Sequence, residues 1–362
     1  MPYIYGMNPS NDLLRTRQHF EILDGLRGVA AISVVLFHFM EIAVPDYHDN
    51  FIAHAYLAVD FFFCLSGFVV AYAYDGRLSE LGVWNFFKLR LIRLHPLVVF
   101  MAVVGLVVFI ADPFTDLWRK YSGQLGLLFG SSALMVPYPI VTERYSNLFH
   151  LNPPTWSLFW EYIANIFYAL VLIRIRNWLL WILVAVSAIW LYIESYRLGN
   201  LSIGWGGDTF RGGIPRVAFA FMAGVLVYRL KWVIRSSIGF WLLSVLLLLM
   251  FVFPYSIKYN QWADPTIVLV FCPLFIALGA GTAAHGVTGK ICRFLGEISY
   301  PLYMVHYPFV WVFMSYVEKN KPGLAEMSVV MAIGTILLTG LSYLVLKWVD
   351  EPARQFLKRR LV

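Results

Sequence analysis

Apolar runs long enough to cross a bilayer recur along the whole chain, separated by short polar stretches. A membrane-spanning helix needs about 20 predominantly apolar residues, with a working range of roughly 17–25. By that criterion ten helices are predicted, at 28–44, 57–74, 94–111, 155–173, 178–193, 214–230, 236–254, 266–283, 298–316 and 325–346. Pro and Gly interrupt several of them, which a bundle tolerates where neighbouring helices satisfy the freed backbone groups. Residues 121–142 are ambiguous: they carry no charge but are rich in Gly, Ser and Pro.

Charge placement resolves the ambiguity. If 121–142 does not span, 19 of the 28 Lys and Arg collect on one side and 9 on the other; if it spans, the split becomes 14 to 14. Cytoplasmic loops carry the excess of Lys and Arg. The predicted topology is therefore ten spans with both termini cytoplasmic, and 112–154 is an external loop holding a half-helix or interfacial segment. The first 20 residues lack the apolar stretch of a cleavable signal, so the first run reads as a retained anchor. The expectation is one integral membrane domain over 1–362, with a cytoplasmic segment at 1–20, a basic cytoplasmic tail at 350–362 and no appended soluble domain.

Composition agrees. Of 362 residues 60% are apolar and only 14% are Asp, Glu, Lys or Arg, where a soluble domain carries about 25%. The mean hydropathy is +0.69. A soluble globule or a disordered chain is excluded, and the fold class is an all-α polytopic membrane bundle. The net charge of +7 would suggest nucleic acid in a soluble protein, but here the basic residues sort into loops and no nucleic-acid partner is expected. Cys64, Cys272 and Cys292 form neither a disulfide framework nor a metal spacing.

The exceptions inside the apolar runs carry the chemistry, because ionisable groups in lipid are costly and face the bundle interior. His38 and Glu41 lie on the first helix, Asp60 opens the second, and Glu161 and Asn165 share a face of the fourth. Arg216 lies near the outer end of the sixth, and Ser299, Tyr303 and His306 lie on the ninth. Arg27 and His38 are eleven residues apart, three helical turns, so both point the same way about 16 Å apart. Arg90 and Arg93 share a face at the cytoplasmic level of Arg27. Three guanidiniums there could grip a polyanion, and a phosphorylated ligand with a long arm would put its far end near His38. The bland readings are topology anchors for the arginines and interhelical hydrogen bonding for His38, His306 and the Glu161–Asn165 pair. His38-x-x-Glu41 hints at a metal, but no third ligand has diagnostic spacing, so no metal is expected. Trp205, in the Gly-rich SIGWGGD loop, is a candidate for stacking on a substrate.

These residues fall within recognisable segments. EILDGLRGVAAISVVLFHF, AVDFFFCLSGFVVAY, FFKLRLIRLHPL, NPPTWSLFWEYIANIFY and LGEISYPLYMVHYPF occur in order, with Asp350-Glu351-Pro352 at the close. The pattern, from about residue 20 to 353, resembles acyltransferase family 3, the integral membrane O-acyltransferases. The resemblance implies transfer of an acyl group, usually acetyl, from cytoplasmic acyl-CoA to an acceptor on or reaching the far side. Acceptors in the family are commonly saccharide hydroxyls of the cell surface or secreted products, and sometimes antibiotics or lipids. It also implies a bacterial inner membrane, with membrane lipid around the bundle; a homo-oligomer is compatible with it.

Carried over, Arg27 and His38 match the family's arginine–histidine pair, and Arg90 and Arg93 its pair on the CoA side. Asp60, Glu161 and His306 match positions within its motifs. On this reading neutral His38 removes the acceptor's hydroxyl proton, and Glu41, Asp60 or Glu161 orients it. An acyl-histidine intermediate competes with direct transfer. Tyr303, Ser66 or a backbone amide would stabilise the oxyanion. The alternative functions are a proton-coupled exporter of a saccharide or lipid and a non-catalytic scaffold of envelope synthesis.

Overall fold

The computed structural model describes residues 20–361. The predicted N-terminal segment lies, but for Phe20, outside the described residues. The chain runs through α1 (Glu21–Ala43), α2 (Ala58–Tyr74), α3 (Val83–Ala111), α4 (Leu125–Ala133), α5 (Thr155–Leu170) and α6 (Asn177–Leu198). It continues through α7 (Gly213–Arg229), α8 (Phe240–Phe251), α9 (Ile257–Gly281), α10 (Gly286–Asn320), α11 (Leu324–Val345) and, after a π-turn, α12 (Glu351–Leu361). Helices of a single turn are left unlabelled.

Every predicted span coincides with a helix, and among the described residues eight helical segments are long and apolar enough to cross a membrane. Of the other two predicted spans, α8 has 12 residues. The 35-residue α10 is long enough, but Tyr300, Pro301, Tyr303, His306, Tyr307 and Pro308 dilute its apolar middle. Helix α4 has 9 residues, about 14 Å of rise. That is half of the ~30 Å hydrocarbon core, so 112–154 returns to the end it left. Four helices start well before their predicted spans: α1 at Glu21 rather than 28, α3 at Val83 rather than 94, α9 at Ile257 rather than 266, and α10 at Gly286 rather than 298. Hydropathy marks the part in lipid, and these helices continue into polar surroundings.

Successive helices alternate in direction. The start of α1 lies at what we term the near end, with the start of α10 and with α12; the 44–57, 112–154, 199–212 and 252–256 connections lie at the far end. Contacts agree with this placement. Arg27 reaches Gly296 O at 2.7 Å at the near end, while Asn147 bridges to Gly206 at the far end.

Small residues draw the central helices together, as expected where lipid supplies no hydrophobic drive between them. A Cβ on Gly67 of α2 would sit 1.9 Å from Phe221 O of α7, and one on Gly224 of α7 would sit 1.9 Å from Cys64 O of α2. Gly28 and Gly296 do the same for α1 and α10, the most extensively packed pair. Proline adds a second device. Pro308 has no N–H for Met304 O, the carbonyl four residues back, and that oxygen instead accepts from Asn152 Nδ2 at 3.0 Å, tying the 112–154 connection to α10.

Candidate active site

Helix α10 forms one wall of two cavities, one above the other. The near cavity, about 170 Å³, lies between α1, α2, α3, α5 and α10 and is lined by Arg27, Arg90, Arg93, Ser66 and Glu161 among others. The far cavity, about 70 Å³, is lined by His38, Glu41, Trp205 and Tyr307 among others. Val59 and Tyr303 line both, so they mark the junction.

At the near cavity, Arg27 Nε donates to Ser299 Oγ at 2.8 Å, and its Nη2 also lies 3.2 Å from Asp24 Oδ1. Arg90 Nη2 donates to Glu161 Oε1 at 2.7 Å, and Ser66 Oγ donates to the same oxygen at 2.7 Å. Arg93 is different: among the described residues it has neither a hydrogen-bond nor an ion-pair partner, yet it lines the cavity. Two of the three expected phosphate-gripping arginines are thus already engaged within the protein, and one is open.

At the far cavity, His38 Nδ1 donates to Glu41 Oε2 at 2.6 Å, one turn on along α1. A carboxylate accepting from Nδ1–H fixes the tautomer that leaves Nε2 as a proton acceptor. The His306 ring lies against that of His38, centroids 5.3 Å apart and 18° from parallel, and Tyr307 meets His38 edge-on at 4.7 Å. His306 Nδ1 donates to Leu302 O at 3.0 Å, and its buried Nε2 has no partner among the described residues. Burial first, then the Glu41 carboxylate, holds the Tyr47 phenol of the far-end loop above its ordinary pKa, so it stays a neutral donor at the cavity wall. At the junction Tyr303 Oη and Ser157 Oγ share a hydrogen bond of 2.8 Å.

A partly buried histidine–carboxylate couple thus lies on one side of Tyr303 and a set of arginines on the other. A family model described as an acyltransferase domain, that of acyltransferase family 3, matches residues 20–347. The chain belongs to acyltransferase family 3. Its described residues form that family's membrane-embedded acyltransferase domain. The chain is 37% identical over 162 residues to Protein 2 in picA locus of Rhizobium radiobacter, covering 42% of this chain and 82% of that protein. It is 25% identical over 360 residues to the O-acetyltransferase OatA of Staphylococcus aureus (strain NCTC 8325 / PS 47), covering 92% of this chain. The match spans 57% of that relative's length. No solved structure matches.

Within this acyltransferase domain the predicted carboxylates separate by role. Glu41 is the one bonded to His38. Asp60 pairs with Arg216 instead, which donates to it through Nε at 3.1 Å and Nη2 at 2.6 Å. Arg216 also donates to Ile203 O at 2.8 Å and Tyr56 O at 2.9 Å, and its guanidinium lies 5.2 Å from the centre of the Trp156 ring. This buried pair locks α2 to α7 in the wall of the far cavity. Glu161 belongs to the near cavity, with Arg90. Trp205 does line the far cavity, its Nε1 held by Ser202 O at 3.2 Å. Among the described residues no group of three His, Cys, Asp or Glu is arranged to hold a metal. Sequence reasoning did not single out Ser157, Tyr307, Trp311 or Tyr145, although the first two fall within the quoted motifs.

Proposed function

We propose that this domain moves an acetyl or other short acyl group from acyl-CoA to a saccharide or related hydroxyl of the cell envelope, with the donor entering at the near cavity and the acceptor at the far one. The near end is then cytoplasmic, in a bacterial inner membrane. The observation that carries this reading is the junction: an arginine-lined cavity and a His38–Glu41 cavity share Val59 and Tyr303 as walls. A thioester carbonyl brought to the junction would have acceptor chemistry on one side and donor phosphates on the other.

The reaction balances without redox chemistry. The acceptor hydroxyl transfers its proton to His38 Nε2 as its oxygen bonds to the thioester carbon. The tetrahedral intermediate then expels the CoA thiolate, which takes up the proton held by His38. Glu41 steadies the imidazolium formed between these steps, supported by its 2.6 Å bond to Nδ1. Arg93 supplies the open guanidinium for the donor's phosphates, and Arg27 and Arg90 add positive charge that strengthens their capture.

Purified full chain in lipid nanodiscs, given acetyl-CoA, should release free CoA, faster when an acceptor is present. His38→Ala should lower turnover by about 10²- to 10⁴-fold with the thermal unfolding curve preserved. Arg93→Ala should raise the acetyl-CoA concentration at half-saturation more than it lowers turnover. Wild-type turnover in the His38 variant would reject the base assignment, and an unchanged donor titration in the Arg93 variant would reject the donor site.

A further inference from the structure

We infer that Tyr145 and Trp311 form a ring-stacking platform that holds a pyranose acceptor over the mouth of the far cavity, with only its reacting hydroxyl reaching His38; this rests on the acyl-transfer reading above. The far cavity holds about 70 Å³. Of the residues that line it only Tyr145 is exposed, so a pyranose arriving from outside meets that ring at the rim first.

The rim is built for this. Tyr145 lines the far cavity and is 59% exposed, in a loop outside the membrane-spanning helices. Its φ is 55° and that of Ser146 is 48°, two successive side-chain-bearing residues in the left-handed region. Such backbone persists where the surroundings over-determine it, and it clusters at ligand clamps. Here both flanks are fixed. On one side Arg144, buried between the rings of Phe109 (4.6 Å) and Trp311 (4.8 Å), donates to His150 O at 2.9 Å. On the other, Asn147 bridges to Gly206 and Leu148 N donates to Trp205 O at 3.4 Å.

The exposed ring also connects to the base. Tyr145 lies near-parallel to Trp311 with centroids 6.4 Å apart, Trp311 meets Tyr307 at 5.0 Å, and Tyr307 meets His38 at 4.7 Å. An aromatic ladder thus descends from the rim to the imidazole. Trp311 adds an independent pointer to a ligand: it is 1% exposed, it lines the cavity, and its Nε1–H has no partner among the described residues. An indole N–H can only donate, and a sugar hydroxyl or ring oxygen is the acceptor it lacks. A pyranose offers both an apolar C–H face for the Tyr145 ring and oxygens for Trp311; an acyl chain offers only the first.

Saturation-transfer NMR on the full chain in nanodiscs tests this without any acyl donor. The probes are methyl β-glucopyranoside and methyl N-acetyl-β-glucosaminide, with 1,2-propanediol as the ringless control. Transfer is expected to the ring C–H protons of at least one pyranoside and not to propanediol. Tyr145→Ala should weaken that probe's apparent Kd by about three- to tenfold, the scale of one aromatic contact, while Tyr145→Phe keeps it. No transfer to either pyranoside, equal transfer to propanediol, an unchanged Kd in Tyr145→Ala, or equal loss in Tyr145→Phe would each overturn the platform. Because acetyl-CoA turnover and its dependence on His38 are measured separately, either the platform or the acyl-transfer reading can fail alone.

Discussion

Asp60 is the residue whose role the structure changes most, and replacing it separates a structural carboxylate from a catalytic one. Asp60 and Arg216 are 0% and 1% exposed. The guanidinium gives two of its hydrogen bonds to Asp60 and two to backbone carbonyls, so removing the carboxylate leaves a cation sealed in protein with half its partners. At an effective dielectric constant near 20, two unit charges about 4 Å apart attract by about 4 kcal/mol. Breaking one partner of a buried pair costs about 3–5 kcal/mol, while exchanging both for well-packed apolar residues is often neutral. Asp60→Asn should therefore lose about 3–5 kcal/mol, measured by denaturant unfolding in detergent micelles. The double replacement Asp60→Leu with Arg216→Met should recover most of that loss. Acetyl-CoA turnover should follow the folded fraction in both. The reasoning is refuted if Asp60→Asn unfolds like the wild type but loses turnover, or if the double replacement is less stable than the single one.

Glu41→Gln retains a hydrogen-bond acceptor for His38 but removes the charge that steadies the imidazolium; turnover should drop on the order of 10²-fold or more, with the acetyl-CoA titration little moved. Gly224→Leu would force a side chain against Cys64 O, and overpacking of this kind costs about 1–3 kcal/mol or more. Gly340→Ala in α11, where a Cβ meets nothing within 4 Å, should instead stabilise by up to about 1 kcal/mol; unfolding midpoints of the two variants compare them directly. His150, in the far-end connection, has its pKa pushed down to about 4 by burial and then by Arg144. The folded state therefore favours the neutral ring. Its contribution is complete above the unfolded value near 6.5 and is lost as pH falls from 6.5 towards 4, about 3 kcal/mol in all. The pH dependence of the unfolding midpoint should flatten over that window in His150→Phe, and an identical slope in both proteins would contradict it.

Much of the bundle was legible because lipid imposes one simple rule on the chain. Ten apolar runs became helices, and charge sorting placed 112–154 outside the span count, as the 9-residue α4 requires. The alignment of Arg27 with His38 was also readable, since one continuous helix carries both. What was hidden depended on contacts distant in sequence. Asp60 meets Arg216 across 156 positions, and Arg90 meets Glu161 across 71. Neither spacing leaves a periodic signal. The partner of His38 was visible in principle, because Glu41 lies three residues on and shares its helix face, but Asp60 and Glu161 were equal competitors until packing placed them elsewhere. Trp311 and Tyr145 escaped notice for a compositional reason. In a membrane protein 17% aromatic, one more Trp or Tyr reads as interfacial belt.

The junction at Tyr303 also bears on the membrane itself. A protein that lets a donor and an acceptor meet across a bilayer needs an opening at each end, and two openings joined by water would short-circuit the proton gradient. Here the phenol is 7% exposed, bonded to Ser157 and packed edge-on against Phe62 at 5.7 Å, so side chains rather than solvent occupy the midpoint. On the proposed reading, these side chains are what keeps the two openings from joining. Widening that point to admit longer acyl chains, as a smaller residue at 303 would, should come at the cost of proton leakage.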